Sequence, residues 1–152
     1  MTGKYIVIFA ISLMPILELR GGLIAASLMD VPIWQAFLVC IGANILIIPF
    51  VLFFVETLLA ILSKIDFLRI LIEKFKEKTL KKKDTIEKYG YLGIMLFVAV
   101  PVPGSGAWTG CLLAVLLGLD KKKSFLAALG GLFIAGVVML IFSYGILKGI
   151  VG

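Results

Sequence analysis

Four apolar stretches run along the chain, at about 5–29, 33–63, 91–119 and 124–147. Each is long enough to cross a hydrocarbon core of about 30 Å, which needs roughly 20 helical residues. Four spanning helices would be the simplest reading, but two of the stretches are broken midway. The first carries Pro15-Ile16-Leu17-Glu18-Leu19-Arg20-Gly21-Gly22, and the third carries Pro101-Val102-Pro103-Gly104-Ser105-Gly106. Proline removes a backbone donor and glycine weakens a helix. Each charge held at a bilayer centre costs about 2.5–3.5 kcal/mol on insertion scales. Such stretches are better built as re-entrant hairpins, two half-helices meeting at a tip that is buried in protein or lines a cavity. Stretches two and four then span.

Shifting the chain by 88 positions aligns its halves without a gap. The informative matches are the proline and glycine pairs at the breaks, Pro15 with Pro103 and Gly22 with Gly110; Ala26 with Ala114 and Gly42 with Gly130 also coincide. The expected fold is an all-α integral membrane protein, a single membrane domain over residues 1–152. Repeat 1 covers about 5–63, a cytoplasmic basic linker covers 64–90, and repeat 2 covers about 91–150. Each half has one hairpin and one spanning helix, hence one net crossing, so the halves run in opposite senses. In transporters with inverted repeats, broken helices at corresponding positions mark the binding site.

Charge supports this topology. Residues 64–88 hold nine of the 15 Lys and Arg residues. With two hairpins and two spans, that linker shares one side with Lys121, Lys122 and Lys123, while Lys4, Asp30 and Lys148 face the other. The positive-inside rule then puts residues 64–90 and 120–123 in the cytoplasm of a multi-pass cell-membrane protein. Within the linker, Ile65, Leu68, Leu71, Ile72 and Phe75 recur at helical spacing, which predicts an amphipathic helix over 64–76 at the membrane surface, against anionic lipid headgroups or as a solvated linker. Glu18 and Arg20 interrupt residues 1–29 and no cleavage motif follows, so these residues do not read as a signal peptide.

Composition narrows the chemistry. The chain is 62% hydrophobic and 16% charged, with mean hydropathy +1.17 and net charge +6. A soluble domain is about 45–50% apolar and about 25% charged. There is no histidine, which removes histidine catalysis, ligation and pH switching. Cys40 and Cys111 lie in apolar stretches without metal-ligand spacing and read as core residues. No nucleophile–base pair, cofactor motif or nucleic-acid signature is visible, so an enzyme is not expected.

The tips carry the remaining polar chemistry. Half-helices starting near Gly21 and Ala107 aim positive N-termini at the membrane centre, where they can hold an anion. Gly21, Gly22, Gly104 and Gly106 permit close backbone approach, Arg20 adds a guanidinium fork, and Ser105, Trp108 and Thr109 add hydroxyls and an amphipathic ring. Glu18 pairs with Arg20 or carries a proton; alternatively the two neutralise each other and cap helix ends. Glu56 lines a proton path, or snorkels or pairs with the linker. Asn44 reads as a helix–helix hydrogen bond, with a ligand contact as the alternative. Ala127, Gly131 and Ala135, and Ala36 and Cys40, read as close packing faces. A chain this small is expected to pair with a second copy to enclose a pathway.

The two tip motifs, with Ala107-Trp108-Thr109-Gly110 after the second and the basic linker between them, resemble the small multidrug export protein family over nearly the whole chain. That resemblance implies drug export. The layout is also similar to the DedA/VTT membrane proteins, which implies paired re-entrant hairpins and movement of phosphate-bearing lipids. That match is partial: this chain has Gly106 and Trp108 where the DedA pattern places an arginine. The expected function is transport of an anionic amphiphile or lipid phosphate, with protons as the candidate coupling ion. Alternatives are proton-coupled export of lipophilic cations and a non-transporting membrane scaffold.

Overall fold

The computed structural model describes residues 2–81, 83–102 and 105–151. Pro103 and Gly104 lie outside the described residues. The chain folds into helices α1 (Thr2–Leu13), α2 (Glu18–Leu28), α3 (Ile33–Leu62), α4 (Asp66–Lys81), α5 (Lys83–Ala99), α6 (Ala107–Leu116) and α7 (Lys121–Leu140). A π-helical segment, Ile141–Leu147, and a last turn, α8 (Lys148–Val151), continue α7. Ile33–Leu62 and Lys121–Ile150, of 30 residues each, are long and apolar enough to cross a membrane. By contrast α1, with 12 residues, rises only about 18 Å.

The two long helices are antiparallel. Glu56 near the end of α3 meets Lys121 at the start of α7, Phe37 packs on Phe133 with ring centroids 6.4 Å apart, and Tyr144 donates to Val31 O at 2.8 Å. Around this pair, α1 and α2 fold into a hairpin whose open end is closed by Lys4 Nζ donating to Met29 O at 2.6 Å. Asp30, at that same end, pairs with Lys148 at 2.8 Å, which holds the Asp30 carboxyl below its ordinary value. Helices α5 and α6 make the second hairpin. Its open end lies at the opposite end of the long pair, where Tyr91 Oη accepts from Asp120 N–H at 3.1 Å.

Local geometry recurs at the 88-residue spacing. Both α2 and α6 end on the same pattern of backbone bonds: Val31 N–H to Ala26 O at 3.0 Å, and Leu119 N–H to Ala114 O at 3.0 Å. This closure needs a left-handed residue just past the helix. Asp30 supplies it with φ 53°, and Gly118 with φ 68°. Pro32 and Asp120 then cap α3 and α7 with nearly the same extended backbone, ψ 134° and 132°. Burial follows the same register. Ala36, Cys40, Ala43, Asn44, Ile47 and Ile48 are buried on α3, and so are Ser124, Ala128, Gly131, Leu132, Ala135 and Gly136 on α7.

Three features differ from the sequence reading. Helix α5 starts at Lys83, so the basic linker is itself helical on both sides of residue 82. The amphipathic segment extends to Lys81 and packs only lightly, with Phe67, Ile70 and Leu71 exposed. Helix α2 begins at Glu18, three residues before Gly21, so the first tip is the short turn at 14–17.

Small residues set how closely the helices approach. A Cβ on Gly131 would stand 2.8 Å from Val98 Cβ and press on the Met95 backbone, so α5 seats on α7 only because that Cβ is missing. A Cβ on Gly42 would meet nothing within 4 Å. Overpacking a tight contact costs about 1–3 kcal/mol, whereas glycine in an open helix position is about 0.5–1 kcal/mol worse than alanine. Gly131→Ala is therefore expected to lower the thermal unfolding midpoint in detergent, and Gly42→Ala to leave it unchanged or raise it.

Candidate functional site: where the two tips meet

The tips meet at mid-height of α3. Asn44 Nδ2 donates to Ser12 O at 3.1 Å and to Cys40 O at 3.0 Å, which ties the end of α1 to the middle of α3. Trp108, at the start of α6, sets its ring edge-on to Phe50 with centroids 6.2 Å apart. Residues 40–50 lie near the centre of the 30-residue α3.

A helix broken in apolar surroundings exposes unpaired N–H groups on one side of the break and unpaired carbonyls on the other. Glu18 answers the first need. Its Oε2 accepts from Ala107 N–H at 3.2 Å and its Oε1 from Trp108 N–H at 3.0 Å, the first two amides of α6. The carboxylate sits where the helix dipole favours negative charge. Arg20 answers the second need. Its Nη2 donates to Val98 O at 3.2 Å and to Val100 O, and its Nη1 donates to Ser105 O. Nη1 also stands 3.5 Å from Glu18 Oε2. Arg20 thus draws the carbonyls from the end of α5 and the following turn onto one guanidinium, whose Nε is buried without a partner among the described residues. In return Trp108 Nε1 donates to Leu13 O at 3.2 Å, capping the end of α1.

Glu18 is 3% exposed and adopts φ 48°, a left-handed conformation that costs a non-glycine residue about 1–2 kcal/mol. Two charge-assisted amide bonds, roughly twice as strong as neutral ones, offset that strain. Gly106 makes room for them. A Cβ there would overlap the Glu18 carboxylate, 2.6 Å from its Cδ, and stand 2.9 Å from Arg20 Nη1.

Of the residues singled out in the sequence, Glu18, Arg20, Ser105, Gly106 and Trp108 come together at this junction. Ser105 Oγ lies 2.8 Å from both Val100 O and Val102 O, so its one proton serves either carbonyl and holds the second tip. Thr109 is half-buried in the first turn of α6. Gly21 and Gly22 instead sit in the hairpin seam: a Cβ on Gly21 would lie 2.7 Å from Leu17 Cβ, and one on Gly22 would lie 2.8 Å from Cys40 Sγ and overlap Ser12 Oγ. Gly104 lies outside the described residues. Glu56 is exposed at the far end of α3 on Lys121, away from the tips. Sequence reasoning missed Leu13, Val98 and Val100, which contribute only backbone carbonyls. The indole N–H of Trp108 was the one available hint that a carbonyl would face it.

If the Glu18 carboxylate is what Gly106 accommodates, the two positions are coupled. Gly106→Ala alone is expected to cost roughly 1–3 kcal/mol, as overpacking does. In a Glu18→Ala background the added cost is expected to be smaller, because the carboxylate is gone and only the 2.9 Å approach to the mobile end of Arg20 remains. Denaturant unfolding in micelles measures both, and equal costs in the two backgrounds would contradict the packing.

Among known proteins, no curated sequence and no solved structure matches this chain. A family model does, the one described as "Putative small multi-drug export protein", over residues 18–138 of the 152. The match begins at Glu18, the first residue of α2, and takes in the second tip, the basic linker and most of α7. With its two long apolar helices the chain is a membrane protein, and it belongs to the small multi-drug export protein family.

Proposed function

We propose that the chain is a multi-pass transporter of the cell membrane, built as an inverted repeat of a re-entrant hairpin plus a spanning helix, which moves an amphiphile with an acidic headgroup through the junction of the tips. The antiparallel long helices, the hairpins entering from opposite ends and the recurrence of caps and buried positions at one spacing support the inverted repeat. Helices as short as α1, α2 and α6 suit re-entry rather than crossing. The nine basic residues of the linker and Lys121–Lys123 lie toward one end, which the positive-inside rule makes cytoplasmic.

One observation carries the substrate class: a carboxylate, that of Glu18, already occupies the N-terminus of α6 beside Arg20, at mid-height. An acidic headgroup that displaced it would find the same two amides and the same guanidinium, whose Nε has a donor to spare. Displaced, Glu18 leaves its hydrogen bonds in a low-dielectric setting, where a proton neutralises it; this is the route by which protons couple to transport.

Export of lipophilic cations is the second reading. The family description speaks of multi-drug export, and a carboxylate freed from α6 would pair with a cationic cargo. Proteoliposomes loaded with either a fluorescent anionic amphiphile or a lipophilic cationic dye separate the two. The anionic probe is expected to move, and Arg20→Ala and Arg20→Lys to slow it by about tenfold or more, since lysine lacks the fork that grips several acceptors. Glu18→Gln is expected to remove the response to an imposed pH gradient. Movement of the cation alone, or wild-type rates in both folded Arg20 variants, would overturn the proposal.

A further inference from the structure

Away from the tips, a groove opens between the second half of α3 and the first turns of α7. Pro49, Leu52 and Phe53 form one wall, Phe125 and Leu126 the other, and the stems of Lys121 and Lys122 close its end. Its volume is about 320 Å³, within the range of small-molecule sites. The lining has a local cause. Pro49 cannot donate to Ile45 O, so the helix ladder is interrupted beside the groove.

The two lysines differ. Lys121 is committed: its ammonium pairs with Glu56 and lies 4.6 Å from the centre of the Phe53 ring. Lys122 is exposed and has no ion-pair partner among the described residues. At the start of a membrane-crossing helix, such a lysine stands at headgroup level, directly above an apolar slot that runs toward the bilayer interior. An apolar slot under an unpaired ammonium complements an acyl chain under a phosphate.

We propose that this groove is a binding site for an anionic glycerophospholipid, with one acyl chain against Pro49, Leu52, Phe53 and Phe125 and the headgroup phosphate on Lys122. The site rests on α3 and α7 crossing the membrane, and not on what passes between the tips. A bound lipid would wedge the α3–α7 contact at the end where Glu56 meets Lys121, and so hold the angle of the two long helices.

Native mass spectrometry of the full chain in micelles tests this, with phosphatidylglycerol and phosphatidylcholine of identical acyl chains supplied at equal concentration. Wild type is expected to retain the anionic lipid over the neutral one by about fivefold, near the contribution of one interfacial lysine. Lys122→Gln is expected to bring the ratio to about one, and Leu126→Trp, which crowds the slot, to reduce retention of both lipids. Lys74→Gln/Lys76→Gln, which weakens the basic linker instead, is expected to leave the ratio unchanged. Equal retention of the two lipids by wild type would overturn the proposal. So would a preference that follows the linker variant and ignores Lys122→Gln and Leu126→Trp.

Discussion

The structure depends on how one hairpin repairs the break in the other. A helix interrupted inside an apolar medium leaves amides and carbonyls that water cannot reach, and each unsatisfied group costs several kcal/mol there. The second tip has no charged side chain of its own with which to answer this. The start of α2, just past the first tip, supplies both answers from residues two apart: Glu18 on the amides that open α6, Arg20 on the carbonyls that close α5. Each charge is costly alone in an apolar interior. Held 3.5 Å apart and hydrogen-bonded to opposite ends of a broken helix, they are neutral as a pair and occupied as individuals.

From this constraint the arrangement of the halves follows. The hairpins must reach each other, so each is short and ends near the middle of α3. They must come from opposite ends, so that one tip presents side chains to the other's backbone. The halves share their cap geometry, their left-handed residues and their buried register, yet they differ where they touch. Glu18 and Arg20 stand where the second half has Gly106 and Trp108 at the same spacing. The small residue receives the carboxylate, and the indole returns a donor to Leu13 O. A symmetric pair of tips would set like charge against like charge.

Much of this was legible in the sequence, for physical reasons. Pro15, Pro101 and Pro103 mark breaks because proline lacks a donor, and the spacing of 88 between Pro15 and Pro103 foreshadowed the recurrence of caps and buried faces. The role of Asn44 could be read from an amide in the middle of an apolar helix. The partners of Glu18 and Arg20 could not. Their acceptors and donors are backbone atoms of residues such as Val98 and Ala107, whose side chains say nothing of an unpaired carbonyl or amide. Gly21 and Gly22 were ambiguous in the same way. Glycine permits approach by a ligand or by another helix, and only the positions of Ile11, Ser12 and Cys40 decide for the helix. The helical character of the linker beyond residue 76 was hidden because its lysines mask any apolar period.

The most direct measurement is amide hydrogen exchange at Ala107 and Trp108 with the protein in lipid nanodiscs. Protection of both amides in wild type is the expected result. Exchange should be about tenfold faster or more in Glu18→Ala, as loss of a charge-assisted bond requires, with amides in the middle of α3 such as Ile48 unchanged. Identical exchange at Ala107 and Trp108 in the two proteins would mean that Glu18 does not cap α6, and the account of the junction would fail with it.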